Sequence, residues 1–143
     1  MAKTTNGFFD MSKVFDGFRF GGFDGQAMAE SQRKNLEALT QANQLAIEGM
    51  RALAQRQSEI AQKAANEASA VMRDWTQQSA PEDRFAKTIE ATKAAFEKGL
   101  SNARELSEMG SKASADVFSV IAKRVSEGFD EVRHFAKKQA AAE

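Results

Sequence analysis

One histidine and no cysteine limit the chemistry this chain can do. His134 sits in a charged, helical stretch with no candidate partner beside it. It reads as a surface histidine, because a base or a ligand needs convergent groups around it. A zinc site lacks its ligand set, and thiol catalysis and disulfides are excluded. The acidic pairs Glu82–Asp83 and Asp130–Glu131 are neighbours in sequence, and adjacent residues on a helix do not face each other. They read as solvated faces and helix ends. "MGSKAS" (Met109–Ser114) contains Gly-Ser-Lys, but Ser111 separates Gly110 from Lys112 and no strand precedes it, so it is no phosphate loop. "FGGFDG" (Phe20–Gly25) lacks the strand–turn–helix setting of a dinucleotide fingerprint. No nucleophile, base and oxyanion site come together. The expectation is a protein with no catalytic, cofactor or metal residues, and not an enzyme.

What remains is the chemistry of apolar contact. Six of the eleven phenylalanines fall in "GFFDMSKVFDGFRFGGFDG" (Gly7–Gly25): Phe8, Phe9, Phe15, Phe18, Phe20 and Phe23. Glycines and aspartates interrupt them, so the segment cannot easily become a core. Residues 1–25 read as a flexible Phe/Gly-rich arm whose rings are candidate anchors on an apolar surface. Asp10, Lys13 and Asp16 break any apolar run of a secretion signal.

The elements behind the arm read as all-α. Helix formers dominate after residue 25 and Pro81 is the single proline. One helix is expected over about 26–78, a break at about 79–81, and helical segments over about 82–139. Together, 26–140 form a single helical domain, either a helical hairpin or a coiled-coil assembly. A seam runs Leu36, Leu39, Asn43, Ala46, Met50, Leu53, Gln57, Ile60 and Ala64, in alternating steps of three and four. That repeat suits coiled-coil packing. Leu36, Leu39, Met50, Leu53 and Ile60 are expected to bury against another helix. Asn43 and Gln57 either fix its register or sit at its edge in solvent. A second seam runs Phe85, Ile89, Thr92, Phe96, Gly99, Ala103, Leu106, Gly110, Ala113 and Val117, with kinks expected near Gly99 and Gly110. At the break, Ala80 precedes proline, and Pro81, Glu82 and Asp83 suit the start of a helix.

Charge narrows the partners. Twenty basic and twenty acidic side chains balance overall, and they balance again within 1–29, 30–78 and 79–143. Nucleic-acid binders and helices docked on anionic lipid usually show a basic face, and none is visible here. No apolar stretch is long enough to span a membrane.

The stretch "SQRKNLEALTQANQLAIEGMRALAQRQSEI" (Ser31–Ile60) resembles the phasins, in an arrangement similar to the alphaproteobacterial branch. The matching elements are "RKNLEAL", "AN", "EGMRALAQRQ" and Glu59-Ile60. The resemblance implies a non-catalytic, helical, commonly oligomeric protein that coats cytoplasmic polyhydroxyalkanoate granules. Phasins limit coalescence, influence granule size and number, and in some cases stimulate depolymerase. Partners implied are the granule surface, further copies of the chain, and depolymerase or synthase. The residues alone fit equally a coiled-coil interaction module or an amphipathic protein on a general membrane surface.

Overall fold

The computed structural model describes residues 25–77 and 80–141. Two helices account for nearly all of them: α1, Gly25–Gln77, and α2, Pro81–Ala140. Their 53 and 60 residues make rods of roughly 80 and 90 Å. No strand occurs among the described residues. The fold is all-α. The arm phenylalanines Phe8 to Phe23 lie outside the described residues.

The break follows the local chemistry. Ala80 is extended (φ −91°, ψ 125°), as a residue before proline prefers. Pro81 then opens α2 with its φ already helical and no N–H to leave unpaired. Glu82 and Asp83 lie in the first turn and Lys137 and Lys138 in the last, each opposing the end charge of the helix dipole. The Arg84 N–H donates to the Ala80 carbonyl at 3.3 Å and closes the first turn. Gly99 and Gly110 do not end the helix, which runs through both. Each costs about 1 kcal/mol against alanine, and the flanking turns of good helix formers absorb it.

The helices fold back as an antiparallel hairpin. Ser31 meets Glu131, Asn35 meets Arg124, Gly49 meets Ala113, Arg56 meets Glu105 and Glu67 meets Lys98. Near the turn the Arg84 guanidinium lies 5.3 Å from the centre of the Trp75 ring. On α1 the contact face runs Ser31, Asn35, Ala38, Ala42, Leu45, Gly49, Leu53, Arg56 and Ile60, all buried or half-buried. On α2 it runs Leu106, Gly110, Ala113, Val117, Ile121, Arg124, Gly128 and Glu131.

Small residues set this contact. At its centre a Cβ built on Gly49 would stand 2.6 Å from the Ala113 Cβ, so the helices meet where bulk is least. Two helices alone enclose little. Ala42, 4% exposed, is the one buried apolar residue among those described. Leu53 and Ile60 are half-buried in the contact, whereas Leu36, Leu39, Asn43, Met50 and Gln57 lie exposed, about one position round the helix from it.

Candidate functional site

The exposed apolar residues are not scattered. At about 100° per residue, Leu36, Leu39 and Met50 lie roughly 100° round α1 from the contact face, with Met72 and then Ile47 further round toward the outer side. Phe85, Ile89, Phe96, Phe118, Val125 and Phe129 lie roughly 100° round α2 from its own contact face, in the same rotational sense along the chain. The helices are antiparallel, so one rotational sense places both stripes on the same broad side of the hairpin. Phe118, Phe96, Phe85 and Met50 are each at least 70% exposed there. That is far more solvent contact than large apolar groups usually keep together, and such patches mark interaction surfaces.

Charge is kept off this side. Between Met28 and Trp75 its α1 sector contains Gln32, Asn43 and Gln57 among apolar and alanine residues, and no ionised group. On α2 Lys93 lines a shallow depression on this side together with Thr88, Ile89, Thr92 and Phe96. The opposite side carries Glu37, Glu48 and Glu59 on α1 and Lys112, Lys123 and Asp130 on α2, all exposed. Large side chains concentrate at the two ends of the apolar side. Its middle is small, with Ala54, Ala61, Ala103, Ser107 and Ser114. The helix-packing residues expected from sequence therefore divide. Leu36, Leu39, Asn43, Met50 and Gln57 belong to the apolar side, and Leu53 and Ile60 to the contact within the chain.

A polar cluster at the open end fixes the register of the two stripes. Arg124 is 8% exposed. Its Nε donates to Asn35 Oδ1 at 2.6 Å, and one Nη donates to Ser31 Oγ at 2.8 Å and to Glu131 Oε2 at 3.0 Å. Lys34 Nζ donates to Glu131 Oε1 at 3.2 Å, and the Ser31 hydroxyl donates to Glu131 Oε2 at 3.0 Å. A guanidinium this enclosed is tolerable only with its hydrogen bonds met. Sliding α2 by one turn would strand it, so the cluster selects one register. Hydropathy periodicity passes over such residues, and neither Arg124 nor Gly49 stands out in the sequence by that measure. The spacing of seven between Arg124 and Glu131, two turns along one face, is the signal that locates the cluster.

The cluster makes stability depend on pH. Partial burial alone would raise the pKa of Glu131, but hydrogen bonds from Arg124, Ser31 and Lys34 outweigh it and hold the carboxyl below its ordinary 4.5. The unfolded chain then binds the extra proton, so this contribution is complete above about 4.5 and is lost as pH falls through the lower folded value. In urea unfolding, wild-type stability is expected to decline more steeply than that of Glu131→Gln as pH falls below about 4.5, and the two should run parallel above about pH 6. At neutral pH Arg124→Ala is expected to cost about 2–3 kcal/mol, since it leaves Glu131 and Asn35 short of a donor. Equal pH slopes in the two chains would remove the role given to Glu131.

Fold and site together define an amphipathic all-α hairpin with one charge-poor apolar side. A family model described as "Phasin protein" matches residues 26–125, more than half of the chain, and the chain belongs to the phasin family. Phasins are non-catalytic proteins associated with polyhydroxyalkanoate granules. Comparison with curated proteins and with solved structures found no match. Among the described residues no helix is long and apolar enough to cross a membrane, and no three potential metal ligands cluster.

Proposed function

We propose that this chain coats the surface of cytoplasmic polyhydroxyalkanoate granules, polyhydroxybutyrate among them, and does so through the apolar side of the hairpin. The observation that carries the reading is the scarcity of charge on a side populated by exposed phenylalanine, leucine and methionine. A polyester surface is mostly apolar and weakly polar, and it rewards apolar burial without asking for basic groups. The charged side then faces water and keeps coated granules apart. By limiting coalescence the coat sets granule size and number. The same reading includes easier mobilisation of polymer by depolymerase, contact with synthase, and homo-oligomers formed through the exposed part of the seam, Leu36, Leu39, Asn43, Met50 and Gln57.

Purified full-length chain mixed with granules is expected to sediment with them, and to stay bound at high salt. Binding that required anionic vesicles and collapsed with salt would point to a membrane surface instead. A chain that stayed in the supernatant with both would be an interaction module. The arm adds to adsorption in this proposal. Phe8, Phe9, Phe15, Phe18, Phe20 and Phe23 bring a gross burial term of order 10 kcal/mol, lowered by the cost of ordering the segment. A fluorescent fusion lacking residues 1–25 should therefore localise to granules more weakly. Undiminished localisation would show that the hairpin alone suffices.

A further inference from the structure

With the apolar side turned to polymer, the hairpin still has two long edges: the outer face of α1 and the outer face of α2, each turned away from the other helix. We propose, resting on the granule coating described above, that adsorbed copies pack side by side in rows. The outer edge of α1 in one copy meets the outer edge of α2 in the next, each copy shifted sideways without rotation.

The two edges carry opposite charges. Gly49 and Ala113 touch, and so mark one height on both helices. Roughly 120–160° round α1 from Gly49, in the sense away from the apolar stripe, stand Arg51 and Arg73. Between them that sector holds Gln55, Gln62 and Ser69, and no acid. In the same sector of α2, counted from Ala113, stand Glu90, Glu97 and Glu108. Arg51, Arg73, Glu90 and Glu108 are exposed and make no ion pair among the described residues. Glu97 has only Lys93 Nζ, at 4.0 Å.

Heights agree with signs. At about 1.5 Å per residue, Arg73 stands about 36 Å from Gly49 toward the turn, and Glu90 about 35 Å from Ala113. Arg51 stands at about 3 Å and Glu108 at about 8 Å, a difference that an arginine side chain spans. Arg104, at the extreme edge of α2, comes level with Ser58, between Gln55 and Gln62, whose side-chain carbonyls accept hydrogen bonds. At the open end Arg33 is bonded to Glu37 and Arg133 to Asp130, each within its own helix. Neither edge brings an uncompensated charge there. A sideways shift therefore sets opposite charges at matching heights. Turning the second copy by half a turn on the surface would set arginine edge against arginine edge, or acid against acid, and like charges reject that arrangement.

Such a contact joins two different faces and does not close on itself, so it extends into rows. Exposed ion pairs are individually weak, and freely tumbling chains gain little from them. On polymer every copy already lies in one layer with its apolar side down. That confinement raises the effective concentration of edge against edge, so weak pairs suffice to align neighbours. Rows belong to the adsorbed state.

The chain has no cysteine, which opens a cross-linking test. Gln44 and Ser119 are exposed on opposite outer edges of one hairpin, level within about 2 Å. The double variant Gln44→Cys with Ser119→Cys therefore links to a neighbour in a row and not to itself. On protein-free polyhydroxybutyrate particles at low salt, a short bis-maleimide linker is expected to give a ladder of dimers, trimers and longer multimers. Without particles the ladder should be absent. Adding Glu90→Lys and Glu108→Lys should remove it, and further adding Arg51→Glu and Arg73→Glu should bring it back. The amount of sedimented chain should stay the same throughout. A chain that failed to sediment would overturn the coating reading and the rows with it. A chain that sedimented without a ladder, or with one indifferent to charge reversal, would overturn the rows alone. So would a ladder of equal strength in solution, or a single-cysteine chain that gave dimers as readily as the double variant.

Discussion

Exchanging Phe96, Phe118 and Phe129 together for aspartate is expected to lower the granule-bound fraction by about two to three orders of magnitude in partition coefficient. Fully burying one phenylalanine is worth about 1.5–3 kcal/mol. A ring pressed against a surface buries one face, so three rings give about 3–4 kcal/mol at half value, which is a factor of several hundred. The aspartates add a desolvation cost wherever the side still touches polymer. Folding should change little. The three rings are 71%, 72% and 62% exposed. Urea unfolding of the variant should stay near wild type, and Lys112→Asp on the opposite side should leave adsorption unaltered. If the triple variant sedimented with granules as wild type does, the apolar side would not be the adsorbing surface. A lost unfolding transition would instead reveal a packing role for these rings that their exposure does not suggest.

The sequence made the helix ends legible and left the phase of packing obscure, for different reasons. Pro81 acts locally, through its ring and its missing donor, so the break could be placed without knowing the fold. The seam through Leu36, Leu39 and Met50 was found by bulk, and bulk locates an apolar stripe without saying what covers it. Within one chain the contact falls one position away, on Ala38, Ala42, Leu45 and Gly49. Close approach of two helices is governed by how little each side presents, and alanine, serine and glycine contribute almost nothing to a hydropathy pattern. Arg124 was obscured for a related reason: a charge on an inner face contradicts the pattern used to find inner faces. Its placement depends on partners almost a hundred residues away in sequence, Ser31 and Asn35.

The same close approach makes Gly49 the most sensitive position in the hairpin. Gly49→Leu is expected to cost about 3 kcal/mol or more in urea unfolding, at the upper end of overpacking. Even a single added Cβ would lie 2.6 Å from the Ala113 Cβ, with the Ala113 Cα at 3.8 Å behind it. These are atoms next to the backbone, so relief requires the helices to move apart. A leucine drives them further and loosens Ala42, Leu45 and Leu53 along with them. A domain's whole stability is typically about 5–15 kcal/mol, and a hairpin with one buried apolar residue belongs at the low end. Gly49→Ala is the more delicate comparison, because alanine recovers up to about 1 kcal/mol of helix propensity against the clash. Combining it with Ala113→Gly removes the opposing atom, so the pair should be more stable than the sum of the two single changes predicts. Strict additivity would mean that the 49–113 contact does not determine the spacing. Separation of the helices also bears on adsorption. The two apolar stripes share one side only while α1 and α2 stay in contact, so Gly49→Leu should weaken granule binding without touching a single exposed ring. A variant that unfolded more easily yet adsorbed normally would show that each stripe binds independently and that the hairpin is not the adsorbing unit.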